Sequence, residues 1–141
     1  MAVVDFSLTR RFPYAGGQEF GDTGAYVQID ALLTFAVDPL AEVNRDIVDL
    51  EYAPRDNEGR VRFSADFSLV TPVDPNRGSH GLLIELPNRG RRTVIGTFNR
   101  TGEDPSASPS PGDGFLFERG LSVASIGWQW DVYANDVLMG L

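Results

Sequence analysis

The first half of the chain alternates between apolar and polar positions. Val4, Phe6 and Leu8 are separated by Asp5, Ser7 and Thr9, and Val27, Ile29, Ala31, Leu33, Phe35 and Val37 are interleaved with a mixed set that includes Gln28, Asp30 and Thr34. Val48, Leu50 and Tyr52 oppose Asp49 and Glu51, and the clearest case sets Val61, Phe63, Ala65, Phe67 and Leu69 against Arg62, Ser64, Asp66 and Ser68. A period of two sends successive side chains to opposite faces of a strand, so each segment predicts a strand with one buried and one wet face. Such strands belong to antiparallel sheets. Turn residues stand around them, at Gly16-Gly17, Asp38-Pro39, Asp56-Asn57-Glu58-Gly59 and Asp74-Pro75-Asn76-Arg77-Gly78.

After Gly81 the pattern changes to Leu82-Leu83-Ile84-Glu85-Leu86 and later to Leu121-Ser122-Val123-Ala124-Ser125-Ile126, runs with apolar residues on both faces. Strands of that kind are usually covered on both sides. Between them residues 102–112 form a Ser/Pro/Gly stretch that reads as a surface loop, followed by a compact helix over 114–119 with Asp113 as its cap and Gly120 as its stop. Strand, loop, helix and strand predict a parallel, right-handed β-α-β crossover. A second short helix is expected over 38–45. The expected fold class is therefore α/β with a β-rich N-terminal half: an antiparallel meander over 1–76 leading into the start of a parallel α/β core over 77–141. The closing residues 135–141 carry no stop signal, which suits a single domain left incomplete at its C-terminus.

Composition narrows the chemistry. The 141 residues contain no Cys and no Lys, all 12 basic residues are Arg, and His80 is the sole histidine. Thiolate nucleophiles, disulfides, Cys-based metal sites, Schiff-base lysines and the Walker lysine are excluded by inventory. No His spacing suggests a metal site, and no cofactor is expected. A net charge of −8 opposes nucleic acid and anionic membrane surfaces, both of which need clustered positive charge. With no basic segment followed by an apolar run at the start, a cytoplasmic location is expected. Asn99-Arg100-Thr101 fits the glycosylation sequon, a short pattern that arises by chance.

Several segments in order resemble a bacterial group of α/β-hydrolase domain-containing proteins. They are Phe35-Ala36-Val37-Asp38-Pro39, Ile47-Val48-Asp49-Leu50, Ala53-Pro54-Arg55, Phe63-Ser64-Ala65-Asp66-Phe67, Pro87-Asn88-Arg89-Gly90, Gly112-Asp113-Gly114-Phe115-Leu116 and Gly127-Trp128-Gln129. Trp130 departs from the small residue that this family pattern carries before Asp131. The resemblance implies the N-terminal part of an enzyme that hydrolyses an ester or related acyl bond by a Ser-His-acid mechanism. It also implies that this chain alone is inactive, because the nucleophile of a G-x-S-x-G turn, the acid and the histidine come later in that family. By the same resemblance Asn88, Arg89 and Gly90 form the oxyanion-side loop, with Gly90 allowing close backbone approach.

The residues themselves carry alternatives. Val123-Ala124-Ser125-Ile126-Gly127 lacks the first glycine of a nucleophile elbow, so Ser125 reads as a small residue packed in a strand. His80, between Gly78 and Gly81, reads as a turn histidine. Trp128, Gln129, Trp130 and Asp131 are a candidate pocket wall, the two tryptophans sharing a face if they lie on a strand. Glu85, in an apolar strand, calls for an Arg partner such as Arg91 or Arg92, and a catalytic pair of Glu85 with Asp66 is a further arrangement. The expected partners are the missing C-terminal part, a small acyl substrate, and a second copy joined along an unpaired sheet edge. A different reading is a complete all-β binding domain using Trp128, Trp130 and Tyr133 for a sugar or other flat ligand. It requires the strands around Leu82 and Leu121 to run antiparallel in a closed sheet.

Overall fold

A computed structural model describes residues 2–102, 106–133, 135 and 137–141. Glu103, Asp104 and Pro105 of the predicted surface loop lie outside the described residues, as do Met1, Ala134 and Asp136. Six strands form one mixed sheet: β1 (Ala2–Pro13), β2 (Glu19–Phe20), β3 (Gly24–Val37), β4 (Val61–Pro72), β5 (Leu82–Glu85) and β6 (Ser122–Ile126). The order across the sheet is β1-β3-β4-β6-β5, with β2 pairing onto β3. β3 and β4 pair antiparallel in unbroken register from Tyr26 opposite Pro72 to Val37 opposite Val61. β1 pairs antiparallel with β3 through two irregularities, at Val3/Asp5 and Leu8/Arg10. β6 lies between β4, to which it is antiparallel, and β5, to which it is parallel.

The α/β class expected from the sequence is not what forms. The described protein is mostly β, and its two α-helices, α1 (Val94–Phe98) and α2 (Phe115–Glu118), have five and four residues. Covering a parallel sheet takes helices of several turns. Here the connection from β5 to β6 is spent on turns instead. α1 gives way to Asn99 and Arg100, the latter at φ 55°, and α2 stops at Gly120, at φ 67°. The result is a β-rich small domain with one parallel strand pair, rather than the beginning of a parallel α/β core. The closed antiparallel sheet of the other reading does not form either, since β1 and β5 are open edges.

Two local expectations also change. The alternation of Val48, Leu50 and Tyr52 builds no strand. Asp49 adopts φ 61°, a 3-10 turn occupies Leu50–Tyr52, and Val48 and Tyr52 are exposed. The helix expected over 38–45 is reduced to a 3-10 turn at Glu42–Asn44, with Asp38 accepting from the Leu40 N–H.

The two faces of the sheet differ. Residues directly opposite across a ladder point to the same side. On one side Tyr26, Val70 and Val123 pack with Tyr14, Phe20, Ile95, Leu116 and Phe117 in the main core, so both helices lie on this side. Phe117 contacts three rings at 4.9–5.1 Å, those of Tyr14, Phe20 and Tyr26. The same side carries Gln28, Asp30, Ser68 and Asp66 in the next rows. The other side is apolar: Phe6 stands beside Leu33, Leu8 beside Ala31 and Phe67, and Ile84 beside Ala124 and Leu69.

Candidate functional site

One row of the helix-bearing side is polar across five strands. Arg10 of β1 is opposite Asp30 of β3, Asp30 opposite Ser68 of β4, Ser68 opposite Ser125 of β6, and Ser125 opposite Glu85 of β5. Asp30, Ser68, Ser125 and Glu85 are all buried. Buried charge is costly unless paired and hydrogen-bonded, and each end of the row meets that demand differently. At one end Arg10 Nη2 lies 3.0 Å from Asp30 Oδ2, while Ser68 Oγ and Gln28 Nε2 donate to Asp30 Oδ1 at 2.7 and 3.0 Å. Gln28 is fully buried, and its Oε1 has no donor among the described residues.

At the other end Glu85 meets no arginine at ion-pair distance among the described residues, against expectation. Its Oε1 accepts from the Thr93 N–H at 2.5 Å, the Thr93 hydroxyl at 3.1 Å and the Val94 N–H at 3.1 Å, and its Oε2 accepts from Ser125 Oγ at 2.9 Å. The free N–H groups at the start of α1 satisfy the carboxylate, so no cation is needed. Thr93 makes no side-chain cap of its own, and Glu85 does that work through space.

Beside the row lies a cavity of about 340 Å³. Asp30, Ser68, Asp66, Arg10 and Arg92 give it polar walls, and Val137, Leu138 and Met139 of the C-terminal tail give it an apolar one. The tail is held in place by one side-chain and two backbone acceptors: Gly140 N–H donates to Asp66 Oδ2 at 2.9 Å, Asp66 N–H donates to Gly140 O at 3.0 Å, and Met139 N–H donates to Gly90 O at 3.0 Å. Within the cavity Asp30 already has Arg10, and Asp66 has the tail. Arg92 is different. Its Nη2 donates to Ser106 O at 3.1 Å, but its buried Nε has no acceptor among the described residues, and no carboxylate there lies at ion-pair distance. Burial pulls its pKa below the ordinary arginine value, partly offset by Asp30, Glu85 and Asp66.

The residues proposed from sequence fall next to one another at the carboxyl ends of β5 and β6. Asn88, Arg89, Gly90 and Arg91 form a tight turn with positive φ at both central residues, closed by Arg91 N–H donating to Asn88 O at 3.1 Å. Its donors are occupied. Arg89 N–H donates to Gln129 Oε1 and Gly90 N–H to Pro87 O at 3.3 Å, so the loop presents no free pair of N–H groups for an oxyanion. Gly90 is required by packing: a Cβ there would sit 2.7 Å from Met139 O and 2.9 Å from Val132 Cγ1. Trp128 Nε1 donates to Pro87 O at 3.0 Å.

β6 ends at Ile126, so Trp128 and Trp130 are not on a strand and the shared-face argument does not apply to them. Trp130 is 82% exposed, and Asp131 and Tyr133 are exposed beside it. His80 precedes β5, whereas Ser125 is level with the end of that strand. The three steps from Leu82 to Glu85 alone separate them by about 10 Å at ~3.3 Å per residue. Asp66 and Glu85 serve the tail and α1.

Arg10, Asp30 and Ser68 of the cavity wall carry no local motif that sequence reading could have used, and Asp66 and Arg92 enter the sequence reading as site residues only as partners for Glu85. Among the described residues no helix is long and apolar enough to cross a membrane. Comparison with protein-family models, curated proteins and solved structures finds no match in any of the three.

Proposed function

We propose that this chain binds a small organic carboxylate in the cavity beside the polar row, with Arg92 as the anchor for the carboxylate and the tail residues around Met139 against its apolar body. The observation that carries this reading is the guanidinium of Arg92: it lines the cavity, its Nε is buried, and no carboxylate among the described residues pairs with it. A planar guanidinium matches a carboxylate through two parallel N–H donors, which a point charge does not. The volume is at the small end for ligand pockets, which favours a compact molecule.

The acyl-hydrolase expectation rests on the resemblance alone. Ser125, already an unfavoured nucleophile from the sequence, is buried and donates its hydroxyl to Glu85. The two readings nonetheless share a ligand chemistry, because hydrolysis of an acyl bond releases a carboxylate.

The test is an NMR titration of the full chain with hexanoate, with hexanamide as the uncharged analogue. Hexanoate is expected to shift the Arg92 Nε–H and Met139 methyl signals, with hexanamide and the R92Q variant each binding about tenfold more weakly or less. Equal binding of acid and amide, equal binding by R92Q, or shifts confined to other regions would remove the proposal.

A further inference from the structure

The sheet side opposite the helices is largely apolar, with a Thr71–Ser122 hydroxyl pair towards one end, and among the described residues no helix packs on it. Phe6 and Leu8 on β1 are 50% and 57% exposed, and Leu82 and Ile84 on β5 are 53% and 62% exposed. Between these margins the middle strands present the half-buried Ile29, Phe35, Phe63, Phe67 and Leu69 together with the buried Ala31, Ala65 and Ala124. A parallel pair such as β5–β6 is normally covered on both faces, and here the helices cover only one.

From this arrangement we infer that two copies of the chain associate face to face through this side of the sheet. Charge favours a second copy as the occupant. The net charge is −8, yet Asp5, Asp30, Asp66 and Glu85, the acidic residues of the paired strand positions in β1, β3, β4 and β5, all lie on the opposite side. Among the paired strand positions Arg11, beside Ile29, is the one ionised group on the apolar side. This face is therefore where two acidic copies meet with least repulsion, and it offers a charged partner nothing to read. Five large side chains on it, Val3, Phe6, Leu8, Leu82 and Ile84, are half or more exposed, an apolar surface of the kind that marks an association face. Two apolar sheet faces pack at about 10 Å with their side chains interdigitating.

The experiment is sedimentation velocity on the full chain from about 5 to 200 µM, in low and in high salt. A reversible dimer is expected, undiminished by high salt because its contact is apolar. The variants L8E and I84E change exposed side chains on this face and are each expected to weaken the dimer at least about tenfold. S7E places the same charge on the same strand but on the other face, beside Leu32, and is expected to leave it unchanged. A wild-type monomer across the whole range would overturn the inference. So would a dimer weakened equally by S7E, which would mean pairing along the β1 edge. Because the wild-type mass decides the first point, the test stands even if a variant fails to fold.

Discussion

Ser125 Oγ donates to Glu85 Oε2 at 2.9 Å across the parallel β5–β6 pair, joining β6 to the start of α1, whose Thr93 and Val94 N–H groups bind the other oxygen of the same carboxylate. The bond explains two things at once. It accounts for a buried acid in an apolar strand without a cation, and it assigns a structural duty to the serine that most resembles a nucleophile by position.

Removing either partner is expected to cost stability in unequal amounts. S125A deletes one hydrogen bond to a charged group, a loss of about 1–2 kcal/mol. E85A strands the Thr93 and Val94 N–H groups as well as the Ser125 hydroxyl, a loss of about 3–4 kcal/mol. Chemical denaturation of the two variants measures the order. A larger loss in S125A would mean that the carboxylate is not the hub of this contact.

Gly90 is predicted to govern the docking of the tail. At φ 74° with Met139 backbone atoms 2.7 and 2.8 Å from where a Cβ would stand, G90V must push the tail away from the sheet. The expected outcome is faster proteolysis within the last residues and a shifted Met139 methyl signal, with an overall loss of about 2–4 kcal/mol. Unchanged tail protection in a folded G90V would show that the tail is held elsewhere.

Tyr26 ties β3 to the helix side through its hydroxyl, within 3.0 Å of Phe117 O and 3.2 Å of Leu121 O. Burial raises its pKa, so the folded state keeps the phenol neutral after the unfolded chain has begun to ionise. Its contribution is complete below about pH 10, the unfolded value, and falls as pH rises above it. Y26F is expected to lose about 1–2 kcal/mol at neutral pH and to show a shallower alkaline decline than wild type. Parallel pH profiles for the two proteins would exclude Tyr26 as the source of that decline.

How far the sequence could be read depended on how local each cause was. The alternation of Val61 to Leu69 specifies a strand because every other residue faces apolar neighbours, and β4 covers it. The same alternation at Val48, Leu50 and Tyr52 meets no partner strand, and Asp49 turns the backbone left-handed instead. α1 escaped notice because its cap, Glu85, is eight positions upstream of Thr93 on another element. The polar row was hidden for the same reason: its bonded pairs are 20, 38 and 40 positions apart. Period two shows that a strand has two faces, but not which face the helices will choose. Here they chose the one with Gln28, Asp30 and Ser68.

Asp56 supplies an acid-sensitive contact far from the cavity. Its carboxylate accepts from Arg62 Nε and from the N–H groups of Arg60 and Glu58 at 2.9 Å each, closing the turn before β4. The Arg62 hydrogen bond is the largest of the causes that lower its pKa from 3.8 to about 2, followed by the Arg60 backbone. A depressed carboxylate favours the fold where it is ionised, so the contribution is present above about pH 4 and is lost as pH falls through about 2. An NMR titration of the Asp56 carboxyl is expected to show a midpoint near 2 in wild type. In R62A the midpoint should rise toward 3.8 without reaching it, because the Arg60 and Glu58 N–H donors remain. A wild-type midpoint already near 3.8 would mean that Arg62 and the turn do not hold the ionised form in solution.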